Sequence, residues 1–488
     1  MATIYSIKPL LAVIVSLLLI PVLVSSRTPN IREGWTFAIA ITKFFIVASM
    51  LPAVLLGNQI VFTVAEVVPG LAIKFRVDAL GMLFALVASL LWIITSAYSI
   101  GYMRGLKEHS QTRYFCFFAL ALSATIGVAF SANLLTLYLF YEMLSLATYP
   151  LVTHHQDREA RSSGRKYLLY IVGTSIGIVL PAMLICYHLT GTLEFAPRGF
   201  MAGAATPLTT AVLVFMFIFG FAKAGIMPLH AWLPAAMVAP TPVSALLHAV
   251  AVVKVGVFSI ARVLTGVFGV DLLSGLHLGT MVCYVAGFTV IAASLIALSQ
   301  DGLKRRLAFS TIGQLSYIVL GVALLSPKGM TGGLTHIAMH AFGKITLFFC
   351  AGAIFVATGT KYISEMKGIG KRMPITMAAF FIGSLSVIGL PPTGGFFSKW
   401  YLVQGTLEAG QPIMLIILLV SSMLNAAYFL PIAYNAFFCS PEKAMFGNEI
   451  QEAPLWCVVP PVITAAGSVC LFFYPTVFLR LAEMAVGL

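Results

Sequence analysis

Runs of about twenty uncharged, apolar residues, separated by short polar stretches, repeat along the whole chain. A bilayer core about 30 Å thick needs roughly 20 apolar residues per helix. Windows of that length predict fourteen membrane segments: 8–25, 35–56, 78–101, 113–131, 133–152, 165–189, 207–240, 241–264, 277–299, 303–324, 329–357, 374–408, 411–438 and 456–478. The expected fold class is all-α integral membrane. The first segment lacks a small-residue cleavage site and thirteen more follow, so it is read as a helix that stays and not as a signal peptide.

Two segments carry interruptions. In the seventh, Lys223 ends a run of some seventeen uncharged residues, with Pro228, Pro234, Pro240 and Pro242 downstream. In the twelfth, Pro391 and Pro392 stand upstream of Lys399. Proline breaks the helical hydrogen-bond ladder, which in lipid is tolerated only where protein or water satisfies the freed groups. Both segments are therefore predicted to be broken helices with a lysine beside the break.

The chain also repeats. "AFSANLLTLYLFYEMLSLATY" (129–149) aligns without a gap on "ALSQDGLKRRLAFSTIGQLSY" (297–317), an offset of 168 residues. Each copy leads a block of five helices, and because five is odd the blocks have opposite topology. Two inverted five-helix repeats are expected, at 113–268 and 275–438, preceded by three helices in 1–112 and followed by a loop and the last helix in 439–488.

Composition agrees: 60% of residues are hydrophobic and 9% charged, against roughly a quarter charged in globular domains. The net charge of +13 is not the footprint of a nucleic-acid binder, because it is sorted by loop. Seventeen Lys and Arg follow odd-numbered segments, among them Arg27, Arg104, Arg305, Lys371 and Lys443. Five follow even-numbered ones: Lys74, Arg76, Arg198, Arg262 and Lys328. Positive residues accumulate on the cytoplasmic side. This predicts a multi-pass protein of a prokaryotic plasma membrane with both termini on the non-cytoplasmic side.

The seven cysteines are scattered singly and form no CxxC pair, which argues against an iron–sulfur centre, a zinc site or a disulfide framework. No glycine-rich nucleotide loop is present. No cofactor, metal or catalytic residue is expected, and any redox or nucleotide chemistry belongs to another polypeptide.

Ionisable residues inside the segments carry the candidate chemistry, since a charge at the bilayer centre costs about 3 kcal/mol or more. They are Lys43, Glu142, Lys223, His230, His248, Lys254, His336, His340, Lys344 and Lys399. Lys43, near the start of its segment, reads most simply as a snorkelling lysine. Glu142 is the one acidic residue deep in a segment, and Lys223 is its candidate partner, as a protonatable pair or as a static ion pair. His336, His340 and Lys344 fall at i, i+4 and i+8, one stripe about 12 Å long. That spacing suits water-bridged proton transfer; a metal is disfavoured because no carboxylate accompanies the two histidines. His230 and His248 are read either as core histidines or as relay members.

The strings "KAGIMPLHAWLPAA", "LLHAVAVVKVGVF", "HAFGKITLFF" and "GLPPTGGFFSKW", with "IKFRVDALGMLF" before the third segment, resemble the antiporter-like subunits shared by Mrp-type cation/proton antiporters, respiratory complex I and membrane-bound hydrogenases. The likeness runs over about 76–440. It implies that Glu142 and Lys223 match the family's glutamate–lysine pair. It further implies that His248, Lys254, His336, His340 and Lys344 form its central hydrophilic axis, and that Lys399 closes the path. Length and wording are most similar to the D-type subunits of Mrp antiporters, with a complex I or hydrogenase module as the alternative and a passive scaffold as the weakest reading. The partners implied are other membrane subunits, the bilayer, H+ and, in an antiporter, Na+.

Overall fold

Fourteen apolar stretches fold as helices because a backbone inside a bilayer must satisfy its own polar groups. The computed structural model describes all residues except 1, 69, 441–448 and 488, so Lys443, counted above with the basic loops, lies outside the described residues. Twelve helices are long and apolar enough to cross a membrane: α1 (Lys8–Ser25), α2 (Pro29–Leu55), α3 (Ala79–Gly105), α4 (Gln111–Ala129), α5 (Leu134–Val152) and α6 (Arg158–Thr190) come first. After the seventh segment follow α8 (Thr241–Phe268), α9 (Leu278–Ser299), α10 (Leu303–Ala323), α11 (Pro327–Thr358), α13 (Pro412–Phe438) and α14 (Leu455–Phe473). The seventh and twelfth predicted segments are the broken ones. The seventh is a helix at Pro207–Gly220, α7, followed by irregular chain; the twelfth is two half-helices, α12a (Pro374–Ile388) and α12b (Gly394–Glu408). The chain is therefore a multi-pass, mostly helical membrane protein.

Three features depart from the sequence expectation. First, the connection after α2 is a hairpin, β2 (Gln59–Val68) antiparallel to β3 (Leu71–Val77), with β1 (Thr3–Tyr5) adding parallel to β2. The β-branched run "IVFTVAEVV" was the available signal, and a search tuned to twenty-residue windows passes over it. Second, α8 is interrupted at Val250–Ala251, where the amides of both residues point back to Leu246 O. No proline or glycine marks that break. Third, a short amphipathic helix, α15 (Thr476–Val486), follows α14 and lies against Leu55–Gly57.

Cross-links between loops show which ends share a face. Arg104 pairs with Glu33, and Arg32 donates to Gln111 Oε1 at 2.7 Å, so the α1–α2 and α3–α4 junctions lie together. On the opposite face, β1 joins the hairpin and Arg480 of α15 donates to Leu55 O at 3.3 Å, so both ends of the chain meet there. Asp78 links that face to α8. Its Oδ1 caps the amide of Gly81 (2.9 Å) and its two oxygens accept from Arg262 at 2.5 and 2.6 Å. Burial works to raise the Asp78 carboxyl, but the charge and hydrogen bonds of Arg262, with Arg76 and the Gly81 amide, outweigh it and hold it below the usual carboxylate value.

Candidate proton-transfer axis

Lys223 sits in the break itself. α7 ends at Gly220, a single 3-10 turn spans Ala222–Ala224, and Gly225 turns the chain in the left-handed region (φ 71°). Trp232 Nε1 donates to the freed carbonyl of Ala222 at 2.9 Å, the kind of substitute partner that an interrupted helix requires. The Lys223 side chain is fully buried and reaches α5, where Nζ donates to Tyr141 O (2.5 Å) and Ser145 Oγ (2.7 Å) and lies 3.2 Å from the Tyr141 ring centroid. α8 packs directly on this turn: a Cβ on Gly256 would overlap the backbone of Lys223 and Ala224.

Glu142 does not touch Lys223. Their charged groups are more than 4.0 Å apart, and Glu142 Oε1 is buried without a hydrogen-bond partner. The reason is helical geometry. Lys223 is held by residues 141 and 145, one face of α5, and residue 142 points about 100° away. Glu142 nevertheless lies near enough for its charge to act on Lys223. The direct ion pair expected from sequence is thus replaced by an electrostatic neighbour at a distance.

The other candidates gather around α11, which runs unbroken through the centre. Lys254, on the second half of α8, meets His340 with Nζ 2.9 Å from Nδ1. The His340 and His336 rings are 5.6 Å apart. His336 is held on both nitrogens, Nδ1 by Ser398 Oγ at 2.8 Å and Nε2 by Gln314 Oε1 at 3.1 Å. Its ring stacks on Tyr317 (5.8 Å), whose other neighbour is Lys399, with Nζ 4.7 Å from the ring centroid. Lys399 bridges the break in the twelfth segment, donating to Val387 O and Ile388 O (both 2.9 Å) and to Ser422 Oγ (3.2 Å). The last carbonyls of α12a are a helix C-terminus, which favours a cation.

Two expected members stand beside this series. Lys344 donates to Ser310 Oγ at 2.8 Å and lies 5.5 Å from the Phe429 ring. His248 packs on Phe348 at 5.0 Å with neither ring nitrogen hydrogen-bonded. His230 is half-buried and lines a cavity of about 880 Å³ on the basic-loop face. Lys43 corrects the snorkelling expectation: it is fully buried between helices, donating to Ser16 Oγ at 2.7 Å beside the Trp92 ring. None of Lys43, Lys223, Lys254, Lys344 and Lys399 has a carboxylate within 4.0 Å among the described residues.

The neutral members of the site, Tyr141, Ser145, Gln314, Tyr317 and Ser398, escaped a reading confined to ionisable residues. Gln314 was within reach, since it is the lone amide side chain in its segment and a buried amide in lipid needs a partner.

Comparison with known proteins follows the same lines. The family model described as NADH:quinone oxidoreductase/Mrp antiporter, TM, matches residues 131–425, which hold every residue of the axis. The chain is 36% identical over 376 residues to NADH-quinone oxidoreductase subunit N of Desulforudis audaxviator, covering 76% of this chain and 74% of the relative. It is 32% identical over 421 residues to Hydrogenase-4 component B of Escherichia coli, covering 81% of this chain but only 61% of that longer relative. It is also 29% identical to the Na(+)/H(+) antiporter A-type subunit of Alkalihalophilus pseudofirmus over 92% of its own length, and spans 58% of that relative. A chain of the Mrp complex from Dietzia sp. DQ12-45-1b superposes with a TM-score of 0.88 at 24% identity, over 99% of this chain and 96% of that one.

Proposed function

Because the chain belongs to the NADH:quinone oxidoreductase/Mrp antiporter membrane family, we propose that it is a proton-translocating subunit of a multi-subunit, Mrp-type cation/proton antiporter. The observation that carries this reading is the buried series Lys254–His340–His336–Tyr317–Lys399. It connects the interrupted α8 to the interrupted twelfth segment, with no carboxylate fixing a proton on any lysine. Buried ammonium groups are costly in lipid, so a row of them argues for transfer over packing. Lys223, with Glu142 in electrostatic reach, acts as a separate station at the first break. His248 and Lys344 complete the axis through water, and Na+ is exchanged in a partner subunit.

The basic loops are placed in the cytoplasm of a prokaryotic cell and both termini outside its plasma membrane, by the positive-inside argument. The likeness to the quinone oxidoreductase subunit favours a second assignment, a pumping subunit of a quinone-linked oxidoreductase. The proteins that co-purify decide between them: small membrane proteins alone support the antiporter, and flavin or iron–sulfur proteins support the redox pump. The proton role itself is tested by Lys223→Ala and Lys254→Met in inverted vesicles with a pH-sensitive dye. Each is expected to abolish the pH gradient while the complex assembles; wild-type transport by either overturns the reading.

A further inference from the structure

Four metal-binding side chains converge where the turn after α3 meets the end of α5, away from the proton axis. Glu108 and His109 stand on the turn between α3 and α4, and His154 and His155 follow α5. Glu108 Oε2 lies 3.9 Å from His109 Nδ1, 3.8 Å from His154 Nε2 and 3.7 Å from His155 Nδ1. The ligand atoms of Glu108, His109 and His154 all fall within 4.8 Å of one another. Among the described residues no lysine or arginine comes within 4.0 Å of the Glu108 carboxylate. Arg113, the nearest guanidinium bonded to this cluster, donates at 2.9 Å to the backbone carbonyl of His154 and leaves the ring free.

His154 is the second, independent sign. It is fully buried, yet neither ring nitrogen has a hydrogen-bond partner. A buried imidazole ordinarily finds one. The backbone adds a third. Of the five non-glycine residues with positive φ, Lys107 (52°), Ser110 (50°) and Gln156 (59°) flank these two segments. Such conformations persist where the surroundings over-determine them, often at ligand sites.

We propose that Glu108, His109, His154 and His155 bind a divalent first-row transition metal, with Zn2+ the best match. Three imidazoles and one carboxylate are a standard tetrahedral zinc donor set. With bonds of about 2.0–2.1 Å the edges of such a tetrahedron are roughly 3.3 Å, so the carboxylate–imidazole spacings need to close by about half an ångström. His109 and His155 are partly exposed on turns and free to do so, while His154 is the fixed ligand. Glu108 and His155 also line the 880 Å³ cavity on this face, which gives the ion a way in. A bound ion ties the α3–α4 turn to the end of α5, the helix that carries Tyr141 and Ser145.

Metal binding is measured without transport, so this proposal and the proton reading fail separately. The purified complex, stripped with a chelator, is titrated with Zn2+ against a chromophoric competitor and with Co2+ by visible absorption. The wild type is expected to take one more equivalent of Zn2+ per chain than the His109→Ala/His155→Ala double variant. Co2+ should show the intense d–d bands of a tetrahedral site. Each single variant should weaken that equivalent by about tenfold or more, whereas His277→Ala, an exposed histidine on the opposite face, should leave it unchanged. Both mutated histidines are partly exposed, so the variant complex assembles and the comparison holds. Equal stoichiometry in wild type and double variant, or Co2+ with only the pale spectrum of the hexaaqua ion, overturns the site.

Discussion

Replacing Lys399 separates a proton carrier from a fixed charge. Its ammonium donates to two carbonyls at the end of α12a and to Ser422. Lys399→Met leaves those two carbonyls without this donor, at about 1–3 kcal/mol each. It also removes a buried ammonium whose desolvation costs several kcal/mol. The two effects oppose one another at similar size, so the half-helices should stay joined and the complex should assemble. Transport should nonetheless fall to background. Lys399→Arg keeps the charge and the donors, but the guanidinium pKa lies about 3 units above that of lysine, or about 4 kcal/mol. If proton release passes through this residue, that step slows by roughly a thousandfold. Proton uptake is followed in inverted vesicles with a pH-sensitive dye, at matched levels of assembled complex. Wild-type transport by Lys399→Arg would show that the residue is a static gate, and the relay would have to end elsewhere.

Asp78→Asn keeps an N-cap but leaves Arg262 unpaired, which should cost about 3–5 kcal/mol at neutral pH. The folded carboxyl is held below its unfolded value, so the bridge contributes fully above the unfolded pKa of about 3.9 and is lost as pH falls through the lower folded value. Thermal unfolding in detergent should therefore show a melting gap between the two proteins that closes only in acid; a gap of constant size from pH 7 to 3 would contradict this. Sidedness is checked with an impermeant thiol reagent after Cys116, Cys439 and Cys470 are replaced. A cysteine at Tyr5 should label in intact cells and one at Glu365 only in inverted vesicles, and the opposite pattern would reverse the topology.

Much of this protein was legible before folding. Hydropathy located all fourteen segments, because a bilayer imposes length and apolarity on each helix independently of its neighbours. Proline placement located both breaks with their lysines, because it acts through the local backbone. The inward-facing Lys and His residues were visible as costs that lipid would not tolerate without a reason. Short-range signals that compete with that pattern were lost: the hairpin at 59–77 is too brief for a membrane window, and the break in α8 carries no breaking residue.

Contact was decided by tertiary structure alone. Lys223 takes Tyr141 O and Ser145 Oγ, and not the adjacent Glu142, because the rotation of α5 turns one face to the break and the carboxylate away from it. Lys43 is buried because three helices close over it, although its place near the start of a segment suggested an escape to the interface. His336 gains Gln314 and Ser398 from two other helices. His109 and His154 meet although 45 residues separate them, through turns in left-handed conformations that no residue type announced. A sequence lists which groups are costly to bury, each by its own chemistry; which of them share a proton or an ion depends on helix rotation and register, which are fixed when the faces pack.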